Sequence, residues 1–267
     1  MGNLEISVPV KVGRKALCSF KGLARAAVLL AVGALLFSGT GLAHAYDPTC
    51  VENVAPGASL ESCDFTDVYL TNATLGNAQL DYANLDGATL TGSDLSGADL
   101  SFASMADVYF ESVNMTGASL IDADLYLAYL ANTLLAGADL TDAYLYDAYL
   151  GSADLNGAIL VRANLFDAHL SNANLSSANL SDAVMFDAFL RMANLSDANL
   201  SGADLSYAYL GVADLSNADL SNADLSDAFL AGATMTGAEV TGVVWSNTVC
   251  PDGTLSNDNG DTCVGTW

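Results

Sequence analysis

Basic residues are scarce in this chain of 267 residues. Lys and Arg together number 7 against 31 Asp and Glu, and the formal net charge is −24. Beyond residue 45 there is no Lys, and Arg162 and Arg191 are the only Arg residues. Proteins bind nucleic acids and anionic membranes through Lys and Arg, so this composition excludes both as direct partners. It favours cations or a basic protein instead.

Histidine and reactive cysteine are also lacking. Beyond residue 45 the single His is His169, and the four cysteines there are expected to be paired with one another. A Ser nucleophile needs a neighbouring base, which one His in a repeated column does not supply. No phosphate-binding loop or zinc-ligand spacing is present. The sequence therefore predicts no catalytic residues, no metal ligands, no cofactor and no enzyme activity.

The helical period of 3.6 residues is missing too, and a period of five replaces it. From Leu60 to Trp245 every fifth residue is apolar, and two residues before each stands a small side chain, usually Ala. On a helix, steps of five rotate by about 140° net and scatter the leucines around the cylinder. On a strand, Ala and Leu two apart share a face. A chain that bends once per block of five would point every Ala and Leu inward and the other three residues outward.

Outward residues repeat at a longer period of twenty. The residue before each central apolar one gives a nearly all-aromatic column: Tyr69, Thr89, Tyr109, Tyr129, Tyr149, His169, Phe189, Tyr209 and Phe229. A second aromatic column holds Tyr126, Tyr146, Phe166 and Phe186, and an acidic column between the two includes Asp147, Asp167 and Asp187. Columns at period twenty predict four blocks per turn, which is a square solenoid in which like residues stack.

The register A-(D/N)-L-x-x, seen in Ser201-Gly202-Ala203-Asp204-Leu205, resembles the pentapeptide repeat family over residues 60–245. The resemblance implies an all-β fold, a right-handed quadrilateral parallel β-helix of about nine coils with Leu and Ala stacked inside. Members of that family do not share one activity, so the fold implies no function.

Four segments follow from the limits of the repeat. Residues 1–45 combine a basic start, an apolar run over 26–37 and the small-x-small sequence Ala43-His44-Ala45. This pattern predicts a cleavable export signal, with an uncleaved anchor as the alternative, and hence a periplasmic or extracellular protein. Residues 46–59 are predicted to cap the β-helix of 60–245, and residues 246–267 to form a second cap.

The cysteines of the two caps are expected to pair locally. Cys50 and Cys63 are thirteen apart, as are Cys250 and Cys263. A rod of about 9.5 coils at roughly 4.8 Å each separates its ends by about 45 Å. A disulfide needs Cα atoms within about 7 Å, so only the pairs Cys50–Cys63 and Cys250–Cys263 are possible. Disulfides also favour an oxidising compartment.

Three functional classes fit the outward residues. The first is an exported structural or binding rod whose aromatic and Asp face meets another protein, a second copy of the chain or a carbohydrate, although aromatic stacking that merely locks the coil register would give the same columns. The second is a DNA mimic, since some relatives protect gyrase in this way, but export argues against it. The third is Ca²⁺ binding, by the Asp column or by Asp258, Asn259 and Asp261 in the C-terminal loop, whose spacing does not match an EF-hand.

Overall fold

The computed structural model describes residues 48–267, and its body is a four-sided parallel β-helix. The residue before each central apolar one forms a single parallel bridge with the residue twenty positions later. These bridges run without interruption from Ser59↔Gln79 to Phe229↔Val249. The predicted turn of twenty residues with four sides is therefore confirmed, over about nine coils.

Each corner of the square is a tight turn that requires a left-handed residue. At one corner the N–H of Ala73 donates to the carbonyl of Leu70 at 3.2 Å, and Asn72 between them has a φ of 56°. This is the position of a type II turn that favours Gly and Asn. The Gly column that includes Gly97 occupies it, with a φ of 64° there. So does the acidic column, because Asp tolerates the left-handed conformation better than most side chains.

The core confirms the assignment of inward and outward residues. The central Leu, Phe and Met side chains and the Ala ladders are buried along almost the whole rod. Ser and Thr residues that replace Ala two positions before the central apolar residue are also buried, and their hydroxyl groups bond to the preceding coil. Ser93 Oγ donates to the carbonyl of Leu70 at 2.7 Å, and Thr133 Oγ1 donates to that of Phe110 at 2.7 Å. Each hydroxyl is thus satisfied without a gap in the ladder.

A short helix and a disulfide close the N-terminal end. Helix α1, Pro48–Glu52, buries Cys50 and Val51 against the first coil. Cys50 pairs with Cys63 at a Cα–Cα distance of 5.8 Å, and at the far end Cys250 pairs with Cys263 at 5.3 Å. Both disulfides join the predicted partners.

The C-terminal tail folds back onto the last coil. Val249 forms an antiparallel bridge with Leu255, and a 3-10 helix follows over Ser256–Asn259. The N–H of Ser256 donates to the carbonyl of Thr248 at 2.9 Å, and Asn257 Oδ1 accepts from the N–H of Asn247 at 2.9 Å. These bonds satisfy backbone groups that the next coil of a longer solenoid would occupy.

The predicted export signal, residues 1–45, lies outside the described residues, as do positions 46 and 47. Within residues 48–267 no helix has the length and apolarity needed to cross a membrane.

Candidate binding face

One side of the rod carries both predicted aromatic columns, and we call it the aromatic face. Three sets of side chains make it up, each at period twenty. The first ladder is Tyr109, Tyr129, Tyr149, His169, Phe189 and Tyr209; the second ladder is Tyr126, Tyr146, Phe166 and Phe186; the carboxylate column is Asp147, Asp167 and Asp187. The carboxylates occupy the left-handed corner position between the two ladders, with φ values of 55°, 57° and 58°.

Rings of the first ladder form one unbroken stack. Successive ring centroids are 4.6–5.1 Å apart and the ring planes are within 10° of parallel. The spacing equals the distance between neighbouring strands in a sheet, so the backbone of the coil sets it. His169 stacks at 4.6 Å on Tyr149 and at 4.7 Å on Phe189, as one more rung.

The second ladder runs parallel to the first over four coils. Tyr146, Phe166 and Phe186 stack at 5.0 Å, while Tyr126 meets Tyr146 at 5.7 Å with a tilt of 35°. The predicted double stripe across four adjacent coils is therefore present.

Stacking determines which part of each ring a partner can reach. The terminal rings, Tyr109 and Tyr209, are each 47% exposed and Tyr129 is 41% exposed, whereas Tyr149, His169 and Phe189 further inside are partly buried. Neighbouring rungs cover the flat faces, so the ladder presents ring edges and Tyr hydroxyl groups along its length. A sugar ring stacks on an open aromatic face, and the interior of the ladder does not offer one.

The carboxylate column is electrostatically crowded. Burial, followed by repulsion from Asp147 and Asp187, raises the pKa of Asp167. The nearest basic group is His169, whose Nε2 lies 3.7 Å from Asp147 Oδ1. Burial, followed by the charges of Asp167 and Asp147, also raises the pKa of the Tyr146 hydroxyl, which therefore stays protonated to higher pH.

The repeat register of the rod is that of a known protein family. The family model described as "Pentapeptide repeats" matches in 8 copies over residues 58–97, 93–130, 123–162, 163–202 and 213–243. The chain belongs to the pentapeptide repeat family. Its fold is accordingly the right-handed quadrilateral β-helix that the resemblance implied.

Solved structures of other pentapeptide repeat proteins are similar to the chain. HetL, which is involved in heterocyst differentiation regulation in the cyanobacterium Nostoc, is 33% identical; the match covers 70% of this chain and 91% of HetL, with a TM-score of 0.36. QnrB1, a plasmid-mediated fluoroquinolone resistance protein, is 23% identical over 71% of this chain and 88% of its own, with a TM-score of 0.41.

A pentapeptide repeat protein of the Arabidopsis thaliana thylakoid lumen is 34% identical over 36% of this chain and 63% of its own, with a TM-score of 0.23. No curated protein matches the chain.

Several aromatic residues of the pentapeptide rod depart from the predicted columns. Phe229, placed in the first ladder by its position, forms the backbone bridge to Tyr209 but makes no ring stack with it. Its ring lies over Gly211 instead, where an added Cβ would be 3.1 Å from Phe229 Cε1. The sequence did not place Tyr207 on the aromatic face. This residue occupies the corner position of the carboxylate column, and its ring centroid lies 5.1 Å from that of Phe186.

Two further aromatic contacts were not predicted. Tyr144, from the neighbouring side of the square, lies 6.1 Å from Tyr146 and extends the second ladder around the corner. Tyr82 and Phe102 stack at 4.9 Å at a different corner. The Tyr82–Phe102 pair follows the same step of twenty residues, so a search of every outward column would have found it.

The remaining charged side chains of the described residues form one ion pair and no metal constellation. Arg162 forms a bidentate salt bridge with Asp142, with Nε at 2.8 Å from Oδ1, and this hydrogen bonding lowers the pKa of the Asp142 carboxyl. That pair lies at a corner outside the aromatic face. Within residues 48–267 no group of three or more His, Cys, Asp and Glu side chains is arranged to hold a metal ion.

Proposed function

We propose that this pentapeptide repeat protein is an exported, non-catalytic rod that binds a macromolecular partner through its aromatic face. The observation that carries the proposal is the continuous double ladder. Exposed aromatic surface of that extent on a polar, acidic rod is typical of an interaction site, because Tyr offers both an apolar ring and a hydroxyl group.

Stacking within the ladders does not account for the whole arrangement. Stacked rings in a single outward column are enough to hold successive coils in alignment, and the first ladder alone supplies six rings. The second ladder adds a parallel row with a line of carboxylates between the two. Tyr and Phe are enriched at protein interfaces, so two parallel aromatic rows on one face favour a recognition surface over a structural seam.

Export is supported by the N-terminal sequence and by the two disulfides. The basic start, the apolar run and Ala43-His44-Ala45 match a cleavable signal. Disulfides at both ends suit an oxidising compartment such as the periplasm or the extracellular space. Cell fractionation with N-terminal sequencing tests this: the expected mature protein begins at Tyr46 outside the cytoplasm. An intact N-terminus on cytosolic protein would refute export.

Site-specific photo-crosslinking in the producing cells tests the binding face. A photoreactive amino acid at Tyr146 is expected to give a discrete adduct. The control is the same amino acid at Ser176, which has the same position in its block at the opposite corner of the square. Equal adducts from both positions, or none from Tyr146, would contradict a partner on the aromatic face.

Removing the first ladder separates binding from folding. Substitution of four rungs by Ser is expected to abolish the Tyr146 adduct while leaving the β-structure intact, because the buried Leu and Ala ladders are unchanged. The four are Tyr129, Tyr149, Phe189 and Tyr209. Circular dichroism checks the fold; if this variant unfolds, the columns are structural stacking and the proposed binding role is wrong.

A second candidate, a DNA mimic, is favoured by the charge density of the rod. Residues 60–245 hold 25 acidic residues and two Arg. Over about 45 Å this is one net charge per roughly 2 Å, close to the roughly 1.7 Å of duplex DNA. The candidate requires cytosolic protein, which should then compete with duplex DNA for a basic DNA-binding protein. The third class, Ca²⁺ binding, gains no support from the arrangement of the described carboxylates.

A further inference from the structure

We propose that the aromatic face binds an extended basic segment of another polypeptide, with Arg or Lys at every third residue, lying along the rod axis. This rests on the proposed function, because it names the chemistry of the partner that the face takes. Three features of the face favour such a segment: its shape, its charge and the spacing of its groups.

The face is long and narrow. The first ladder runs about 24 Å from Tyr109 to Tyr209, summed over its ring centroids. One side of the square is three extended residues wide, about 10 Å. The corner that bears the second ladder and the carboxylate column adds two residues, so the face is at most about 17 Å wide. Its area of at most roughly 400 Å² is well below the roughly 800 Å² per partner of a standard interface between folded proteins. A linear chain fits this strip, and a second globular or rod-shaped partner does not.

The charge of the face selects a cation. Asp167 and Asp187 have no ion pair within the described residues, and the one basic group beside the column is His169 near Asp147. Like charges one coil apart repel one another, and a cationic ligand relieves that repulsion. A second copy of the chain would instead bring its own carboxylate column and its own charge of −24.

Side-chain cations suit the column better than a metal ion. Consecutive carboxylates belong to different coils, and no three acidic, His or Cys side chains in residues 48–267 are arranged around one point. A guanidinium or ammonium group needs only one carboxylate. The aliphatic stem of Arg or Lys packs on apolar surface while its charge stays in water, and the ring edges flanking the column provide such surface.

The spacing of the face indicates the conformation of the segment. Two coil steps, from Tyr129 through Tyr149 to His169, measure about 9.5 Å, and Asp147 and Asp187 are also two coils apart. A polyproline II helix advances about 9.3 Å in three residues. A β-strand advances about 6.8 Å in two residues and loses register within two coils. Basic side chains at every third residue of a polyproline II segment therefore face Asp147 and Asp187 together.

Binding of a defined peptide to the full chain tests the inference. The probe is a fluorescent 12-residue peptide with the repeat Pro-Pro-Arg, and its control has the same composition with the four Arg residues consecutive. One protein variant replaces the carboxylate column by Asn. A charge-matched variant replaces Asp99, Asp139 and Asp219 by Asn on the opposite side of the square. Asn is tolerated at the left-handed corners of the carboxylate column. Asn179 and Asn199 already occupy the column of the control residues, where their Oδ1 atoms accept from the N–H groups of Ser181 and Ser201, so the fold is kept in both variants.

The repeat peptide is expected to bind with a simple isotherm in anisotropy titrations at physiological salt. Loss of the two exposed charge pairs at Asp147 and Asp187, together with the charge of Asp167, should weaken it about tenfold in the carboxylate-column variant and only slightly in the opposite-face variant. The peptide with consecutive Arg residues should bind several-fold more weakly than the repeat peptide. Equal weakening of both variants would mean general attraction to an acidic rod, and equal affinity of both peptides would mean that spacing is not recognised; either result overturns the inference.

Failure of this inference is distinguishable from failure of the proposed function. If the repeat peptide does not bind but the photoadduct at Tyr146 forms, the face has a partner of different chemistry and only the basic segment is refuted. If the adduct is absent as well, the aromatic face is not a binding site.

Discussion

Val212 occupies a corner of the solenoid that is strained for its side chain. Its φ is 60°, a conformation that β-branched residues rarely adopt. We predict that Val212→Asn stabilises the protein, because Asn adopts the left-handed conformation with little penalty. The reverse change, Asn172→Val, should destabilise it. Asn172 lies in the same corner column two coils away, with a φ of 61°.

The expected change in the free energy of unfolding for Val212→Asn is the relief of backbone strain minus the loss of side-chain burial. A side chain other than Gly, Asn or Asp in the left-handed region costs about 1–2 kcal/mol. Val212 is 55% exposed, so replacing it forfeits about half of the roughly 1.5 kcal/mol that full burial of Val contributes. The net gain is about 0.5–1 kcal/mol, which corresponds to roughly 1–4 °C in Tm for a domain of this size.

Thermal and guanidinium unfolding, followed by circular dichroism, measure both variants against the parent. A higher Tm for Val212→Asn together with a lower Tm for Asn172→Val would support the presence of backbone strain at this corner. A lower Tm for Val212→Asn would mean that the contacts of the Val side chain outweigh its backbone conformation. No effect of Asn172→Val would mean that this corner accepts any side chain, and the explanation of the Gly and Asx columns would be wrong.

Three further outcomes are expected. Leu165→Asp places a carboxylate among fully buried leucines and should cost several kcal/mol, whereas Asn164→Asp, one residue away and outward, should cost little; equal losses of Tm would contradict the inward and outward assignment. Because the folded state raises the pKa of Asp167, its ionised form destabilises the fold above that pKa and the protonated form does not. Asp167→Asn should thus raise Tm at pH 7 and lose this advantage below the ordinary Asp pKa of about 4, and a Tm difference that stays constant between pH 7 and pH 3 would refute the repulsion within the column. Replacing the C-terminal disulfide by two Ser should cost up to about 3 kcal/mol and speed amide exchange in the last coils but not in the middle of the rod, and a uniform change along the rod would refute local capping.

The amino-acid sequence by itself determined the architecture and the composition of the faces. In a solenoid each residue has a neighbour at a fixed step along the chain, twenty residues here, so reading every twentieth position amounts to reading contacts. This is why the stacking of Tyr129 on Tyr149 and the buried Leu ladders were predicted correctly. The length of the rod, which follows from the number of repeats, left only the two disulfide pairs that the structure shows.

Tertiary structure alone decided how side chains from different columns meet. Phe229 turns toward Gly211 because that residue has no side chain to occupy the space, and Tyr207 reaches Phe186 across columns. The covering of ring faces within the first ladder depends on ring orientation, which the position of a residue in its block does not specify. Contacts between columns depend on rotamers and on the space beside each side chain, and neither follows a fixed step along the chain.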